Sequence, residues 1–211
     1  MTDILVTDAT KSFGRRTLFS GLEFSVASGE MTALAGPSGS GKSTILNCIG
    51  LLERLDSGQI MIGGRNIVRF GAERQRKFRR DMLGYLFQDY ALIENATVQE
   101  NLQVAVAAKG RAAVRAVNFD DALGRVGLAG RHREPIYQLS GGEQQRVALA
   151  RLIVKSPSVI VADEPTGALD TENEQMVLHE LQRIAQAGAS VLIATHSATV
   201  AGACSEILTL S

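Results

Sequence analysis

The chain has 211 residues, 45% of them hydrophobic, and its 22 basic side chains balance its 22 acidic ones. That length suits one catalytic unit with a substantial core, and zero net charge withholds the phosphate-neutralising field on which nucleic-acid binding depends, so no nucleic-acid partner is expected. No run approaches the roughly 18 apolar residues that span a bilayer, and the opening "MTDILVTDATKSFG" lacks an apolar signal core, so a cytoplasmic chain that forms no channel by itself is expected.

In chain order, "ILVTDA", "LEFSVA" and "MTALAG" have strand composition, and the third runs into a glycine loop followed by a helix over Ile45 to Leu52. "QIMIGG" and "RNIVRF" read as a hairpin turning at Gly63-Gly64, which places an antiparallel sheet beside the main core. Glu73 to Asp81, "ERQRKFRRD", reads as the solvated face of a helix. After strand-like "LGYLF" comes a segment with helical patterns over Val98 to Ala108 and Phe119 to Val126, the start of a helical insertion at about residues 89–155. The last third alternates helix Gly141 to Lys155, strand "SVIVAD", helix Glu172 to Ala187, strand "SVLIAT" and a final strand-like "EILTLS". Apolar runs alternating with amphipathic helices indicate a buried parallel sheet and an α/β class. Cys48 and Cys204 belong to no C-x-x-C pair and read as buried thiols of a reducing compartment, while His132 and His179 are expected at the surface.

"GPSGSGKS", Gly36 to Ser43, fits G-x-x-x-x-G-K-[ST] between a strand and a helix. The residues Gly36, Pro37, Ser38, Gly39, Ser40 and Gly41 would turn backbone N–H groups around phosphate oxygens, aided by the helix N-terminus. Lys42 would reach the β- and γ-phosphates, Ser43 would ligate Mg²⁺, and Thr44 would touch the α-phosphate. Four apolar residues in "SVIVADE" lead to Asp163 and Glu164. Two adjacent carboxylates would repel in one role, which assigns the metal shell to Asp163 and the attacking water to Glu164. His196 directly follows "SVLIAT" and would lie beside Asp163 if these strands pair in parallel.

A second glycine turn, "LSGGEQQR" from Leu139 to Arg146, opens another helix. With "GPSGSGKST", "SVIVADE", Gln88 in "YLFQDYAL", "ALD" at Ala168 to Asp170, and His196, this ordered set resembles the ATP-binding cassette (ABC) ATPases over nearly the whole chain. The resemblance implies a single nucleotide-binding domain spanning 1–211: a P-loop fold with a mainly parallel sheet, an N-terminal antiparallel β subdomain and an inserted α-helical subdomain. It also implies a head-to-tail dimer in which the P-loop of one copy and Ser140, Gly141, Gly142 and Glu143 of the other enclose each ATP. Phe13 in "KSFG" takes the place of the adenine-stacking aromatic, usually Tyr. Gln88 would touch Mg²⁺ or the lytic water in the loop that meets a transmembrane permease subunit, and Asp170 would contact the second copy. By the same resemblance the catalytic set is Lys42, Gln88, Glu164 and His196, the metal shell is Ser43, Gln88 and Asp163, and the cofactors are ATP and Mg²⁺.

Ser197 stands where many relatives have Asp, a departure expected to tune activity. The chain ends at Ser211, just after the last predicted strand, and is therefore expected to lack a C-terminal regulatory domain. "DEPTGALD", "LLERLDSGQI" and "LGYLFQDYALIENATVQENL" look most like the macrolide-export, lipoprotein-release and cell-division group, nearest a bacteriocin-export branch. The implied function is ATP-driven export or extraction, peripheral on the inner face of the cell membrane. The alternatives are a cell-division type that transmits force without cargo, and a soluble non-transport ATPase.

Overall fold

A computed structural model describes residues 2–167 and 169–210, so Ala168 of the ALD match lies outside the described residues, as do Met1 and Ser211. Two sheets organise the chain. The first is antiparallel: strands β1 (Ile4–Phe13), β2 (Arg16–Val26), β4 (Ser57–Ile62) and β5 (Arg65–Asn66) lie in the order β2-β1-β4-β5. β1 and β2 run longer than their apolar cores suggest, because they pair as a hairpin out to Phe13 opposite Arg16.

Gly63 and Gly64 have φ of 53° and 75°, the double left-handed conformation of a two-residue hairpin turn. The expected strand over "RNIVRF" is corrected: it lasts two residues before a 3-10 turn at Ile67–Arg69. Asn66 Oδ1 accepts from the Val68 amide at 3.1 Å, giving the backbone a local alternative to the ladder.

The second sheet is wholly parallel: β3 (Met31–Ala35), β6 (Leu83–Leu86), β7 (Val159–Asp163), β8 (Ser190–Thr195) and β9 (Glu206–Thr209) lie in the order β6-β7-β8-β3-β9. Strand side chains alternate between faces, so each buried run serves two cores. Ile160, Ala162, Val191 and Ile193 join the core made with α3 (Val98–Ala107), α5 (Phe119–Arg125), α6 (Gly141–Lys155) and α7 (Thr171–Gln186). Val159, Val161, Leu192 and Ala194 face the core that holds Ile45 and Leu46 of α1 (Lys42–Ile49) and reaches Ile4 and Ile60 of the antiparallel sheet.

α6 therefore binds the helical region to the sheet through one continuous apolar cluster. Arg125 of α5 adds a charged pin, donating through Nε at 3.0 Å to Glu180, a buried carboxylate of α7. α2 (Ala72–Asp81) buries Phe78 alone and exposes most of its charges, while half-buried Arg79 donates to the Leu51 carbonyl at 3.1 Å.

Two short helices, α4 (Arg111–Ala116) and α8 (Ala198–Gly202), lack the length for a sequence periodicity to show. α1 begins at Lys42, inside the glycine motif, and ends at Ile49, before the expected Leu52. Two burial readings need correction. His132 is only half exposed because Asp120 bonds its Nε2 at 2.7 Å, and Cys204 is half-buried where Cys48 is buried.

Candidate nucleotide site

Four adjacent parallel strands deliver their C-terminal ends to one place. β3 leads into the glycine loop, β6 into Gln88, β7 into Asp163 and Glu164, and β8 into His196. Ligands bind at such strand ends because helix N-termini and open loops converge there. A cleft of about 610 Å³ results, lined by Arg16, Leu18, Ser38, Gly39, Gly41, Lys42, Ser43, Thr44, Gln88, Asp163, Glu164 and His196.

The glycine loop is held open by backbone conformations that side chains would disturb. Gly41 caps α1 at φ 99°, and a Cβ on Gly36 would stand 2.3 Å from the Leu210 carbonyl oxygen. Lys42 donates to the Gly36 carbonyl at 2.8 Å and the Pro37 carbonyl at 3.0 Å, so its buried ammonium lies under the concave loop. Pro37, Ser38 and Gly39 are exposed on the rim, and Ser40 is half-buried with an unpartnered hydroxyl. Arg16, which motif reading missed, crosses from β2 to donate to the Gly39 carbonyl at 3.1 Å.

Burial pushes the Asp163 carboxyl up from its usual range, the Ser43 hydroxyl pulls it down, the Glu164 charge raises it and the Lys42 charge lowers it. A carboxylate held at such a tension, facing a hydroxyl, fits a hard divalent cation that brings its own water and phosphate oxygens. Among the described residues no cluster of three or more His, Cys, Asp or Glu side chains could hold a metal ion.

Glu164 takes φ 45°, uncommon for a residue with a side chain. The backbone around it is fixed on both sides: its amide donates to the Ala194 carbonyl at 3.0 Å, and buried Gln145 of α6 donates to the Pro165 carbonyl at 2.6 Å. Its carboxylate meets His196 Nδ1 at 2.7 Å and receives the Thr195 hydroxyl at 3.3 Å. Parallel pairing of β7 with β8, with Asp163 opposite Ala194, brings His196 there. The His196 side chain is 73% exposed at the mouth of the cleft.

Ser140, Gly141, Gly142 and Glu143 do not line this cleft. They form the start of α6, where Ser140 Oγ accepts from the Glu143 amide at 3.3 Å and Glu143 accepts from the Ser140 amide at 2.8 Å. Glu143 also pairs with Arg131, so its carboxylate serves the capping box and an ion pair. The arginine and the cap hold it below the usual carboxylate range. Gly141 stays exposed and Gly142 lies near Asn173 and Leu169. Asp170 caps α7, its Oδ1 accepting from the Asn173 amide at 2.9 Å. Phe13 is not in the cleft wall either; it stands 51% exposed at the hairpin end, paired with Arg16.

A family model described as ABC transporter matches residues 19–167. The chain belongs to the ABC transporter family. It is an ATP-binding cassette ATPase domain, and its relatives include export proteins. Among them, the lipoprotein-releasing system ATP-binding protein LolD 1 of Caulobacter vibrioides is 41% identical over 90% of this chain and 83% of that protein. The pyoverdine export ATP-binding/permease protein PvdT of Pseudomonas syringae pv. tomato is 38% identical over 95% of this chain. The macrolide export ATP-binding/permease protein MacB of Marinobacter nauticus is 37% identical over 94% of this chain. The chain spans about a third of PvdT and of MacB, 32% of each.

Among solved structures, the dimeric bacterial ABC transporter cassette MJ0796 aligns with a TM-score of 0.89 at 32% identity, covering 98% of this chain and 94% of that one. Its post-hydrolysis dimer bound to ADP and Pi aligns at 0.87 and 30% identity, covering 99% of this chain and 94% of that one. The α/β fold with parallel sheet, antiparallel β subdomain and helical region is the ABC ATPase fold.

Proposed function

We propose that two copies of this domain close head to tail on ATP, hydrolyse it, and reopen to drive a separate transmembrane permease in export or extraction. The observation that carries this reading is the separation of two anion-directed helix starts. The first lines the cleft with Lys42, while the second, at Ser140 to Gly142, lies outside the cleft lining, with Ser140 and Gly141 exposed. A domain with half of its phosphate contacts outside its own cleft would be complete only beside a second copy, and the similar cassette MJ0796 has a dimeric structure.

In this reading the loop from Gly36 to Gly41 cradles the β-phosphate and Lys42 turns from the Gly36 and Pro37 carbonyls toward the β- and γ-oxygens. Thr44 orients the α-phosphate. Ser43, Asp163 and Gln88 hold Mg²⁺, which when bound neutralises charge on the β- and γ-phosphates. Glu164 orients the attacking water and accepts its proton, and His196 fixes the Glu164 carboxylate and faces the γ-phosphate. Ser140, Gly141 and Gly142 of the second copy close over that phosphate, with Glu143 holding their turn and Asp170 at the shared boundary.

Closure reaches the permease through a groove of about 200 Å³ between β6 and α6, lined by Leu52, Tyr85, Phe87, Arg151 and Lys155. Gln88 directly follows this wall and also lines the nucleotide cleft, so nucleotide state and permease contact share one loop. No helix among the described residues is long and apolar enough to cross a membrane, and attachment to the inner face of the membrane is through the permease.

Phosphate release from Mg²⁺-ATP tests the chemistry. The wild-type domain turns over, and Glu164→Gln slows it about 10²- to 10⁴-fold while ATP still binds. Equal turnover in the two proteins would refute the role of Glu164.

A further inference from the structure

Lys11 is a buried cation that the nucleotide chemistry leaves unused. It lies two residues before Phe13 on β1, and strand alternation puts both on one face. Its Nζ donates at 3.0 Å to Glu53 and at 2.7 Å to the Arg54 carbonyl, with Asp56 at 3.7 Å. These acceptors belong to the loop that leaves α1, and the same loop ties back to β1 where the Ser12 amide donates to Asp56 at 2.7 Å.

From that fixed position the ammonium stands 4.7 Å from the centroid of the Phe13 ring. A cation over an aromatic face is attracted by the ring quadrupole, most strongly where water is excluded. The ring is otherwise 51% exposed, and nothing else among the described aromatic and cation contacts restrains it. Its strand partner Arg16 is bonded to the Gly39 carbonyl, so the hairpin end is tethered to the phosphate loop.

We infer that Lys11 is a positioning residue for the base of the nucleotide: its clamped ammonium holds one face of Phe13 so that the other receives adenine. This rests on the reading of Phe13 as the adenine-stacking residue. α1 then begins at the phosphates and ends at the clamp that orients the ring, so one helix sets the spacing between the two ends of the ligand. The consequence is selective: Lys11 contributes to affinity for a base-bearing triphosphate and not for a bare one.

Calorimetric titration of ATP and of inorganic triphosphate, each with Mg²⁺, into wild type, Phe13→Leu, Lys11→Met and Lys11→Arg separates the possibilities. Loss of the aromatic face should weaken ATP about 5- to 150-fold and leave triphosphate unchanged. Lys11→Met should weaken ATP about 2- to 30-fold, again without effect on triphosphate, and Lys11→Arg should restore most of it. Added to Phe13→Leu, Lys11→Met should change ATP affinity less than twofold, because the ring it acts through is gone. Lys11→Gln, which keeps a donor for the Arg54 carbonyl, gives the same ordering should Lys11→Met not fold.

If Phe13→Leu weakens ATP and neither neutral Lys11 variant does, the clamp is refuted while the stacking reading stands. Equal loss of ATP and triphosphate, or full additivity with Phe13→Leu, also refutes it. An unchanged ATP affinity in Phe13→Leu refutes the stacking reading and the clamp together.

Discussion

Lys42 and Glu164 are each held in place by the protein, and by different means. The Lys42 ammonium rests on two loop carbonyls, a neutral arrangement that a phosphate can displace with a stronger charge-assisted contact. Lys42→Ala is therefore expected to weaken ATP binding about 10- to 150-fold by titration, the range of a hydrogen bond to a charged group; unchanged affinity would remove Lys42 from the phosphate contact. Glu164 is instead fixed by its backbone, at a left-handed φ that costs on the order of 1–2 kcal/mol. The bonds to Ala194 and from Gln145 to Pro165 hold that conformation, so the carboxylate points at His196 without relying on the ligand.

At the scale of elements, α6 carries both the second glycine turn at its start and the groove residues Arg151 and Lys155 near its end. Its start depends on Glu143, whose carboxylate lies below its ordinary value of 4.5 because Arg131 and the Ser140 amide favour the charged form. A depressed folded value stabilises the native state above pH 4.5 and loses that contribution as pH falls through the folded value. Thermal melts should show wild type more stable than Glu143→Gln near neutrality, with the gap closing below pH 4.5; a gap independent of pH would refute the assignment. α5 is bound to α7 by Arg125 on Glu180, and removing one partner of a buried pair strands the other charge. Arg125→Met should lower stability by about 3 kcal/mol in urea unfolding, near the low end for such losses because Arg183 still contacts Glu180 at 3.0 Å. No measurable loss would show that solvent already screens the pair.

The parallel strands were legible because each is a short apolar run bounded by turns, and the phosphate loop and the Asp163-Glu164 pair because each is one contiguous string. Arg16 and Thr195 were not, since only the β1–β2 hairpin brings Arg16 to the cleft and only the β7–β8 register brings buried Thr195 to Glu164. The strand over Ile67 to Phe70 misled because its apolar residues serve a turn that Asn66 initiates. The capping bond from the Ser140 amide to Glu143 is local, whereas the ion pair of Glu143 with Arg131, twelve residues upstream, depends on the fold.

At the scale of the whole molecule, the glycine loop, Lys42, Asp163 and Glu164 share one cleft, and the second glycine turn does not line it. That division accounts for why one short chain has two anion-directed helix starts. On the proposed reading, ATP is the material that joins two copies, and hydrolysis the event that lets them part. Light scattering during size-exclusion chromatography of Glu164→Gln tests this most directly, because slowed hydrolysis preserves the closed state. ATP with Mg²⁺ should convert the variant from monomer to dimer, with no such change in its absence. A monomer at an ATP concentration shown by titration to saturate the site would contradict the two-copy nucleotide site.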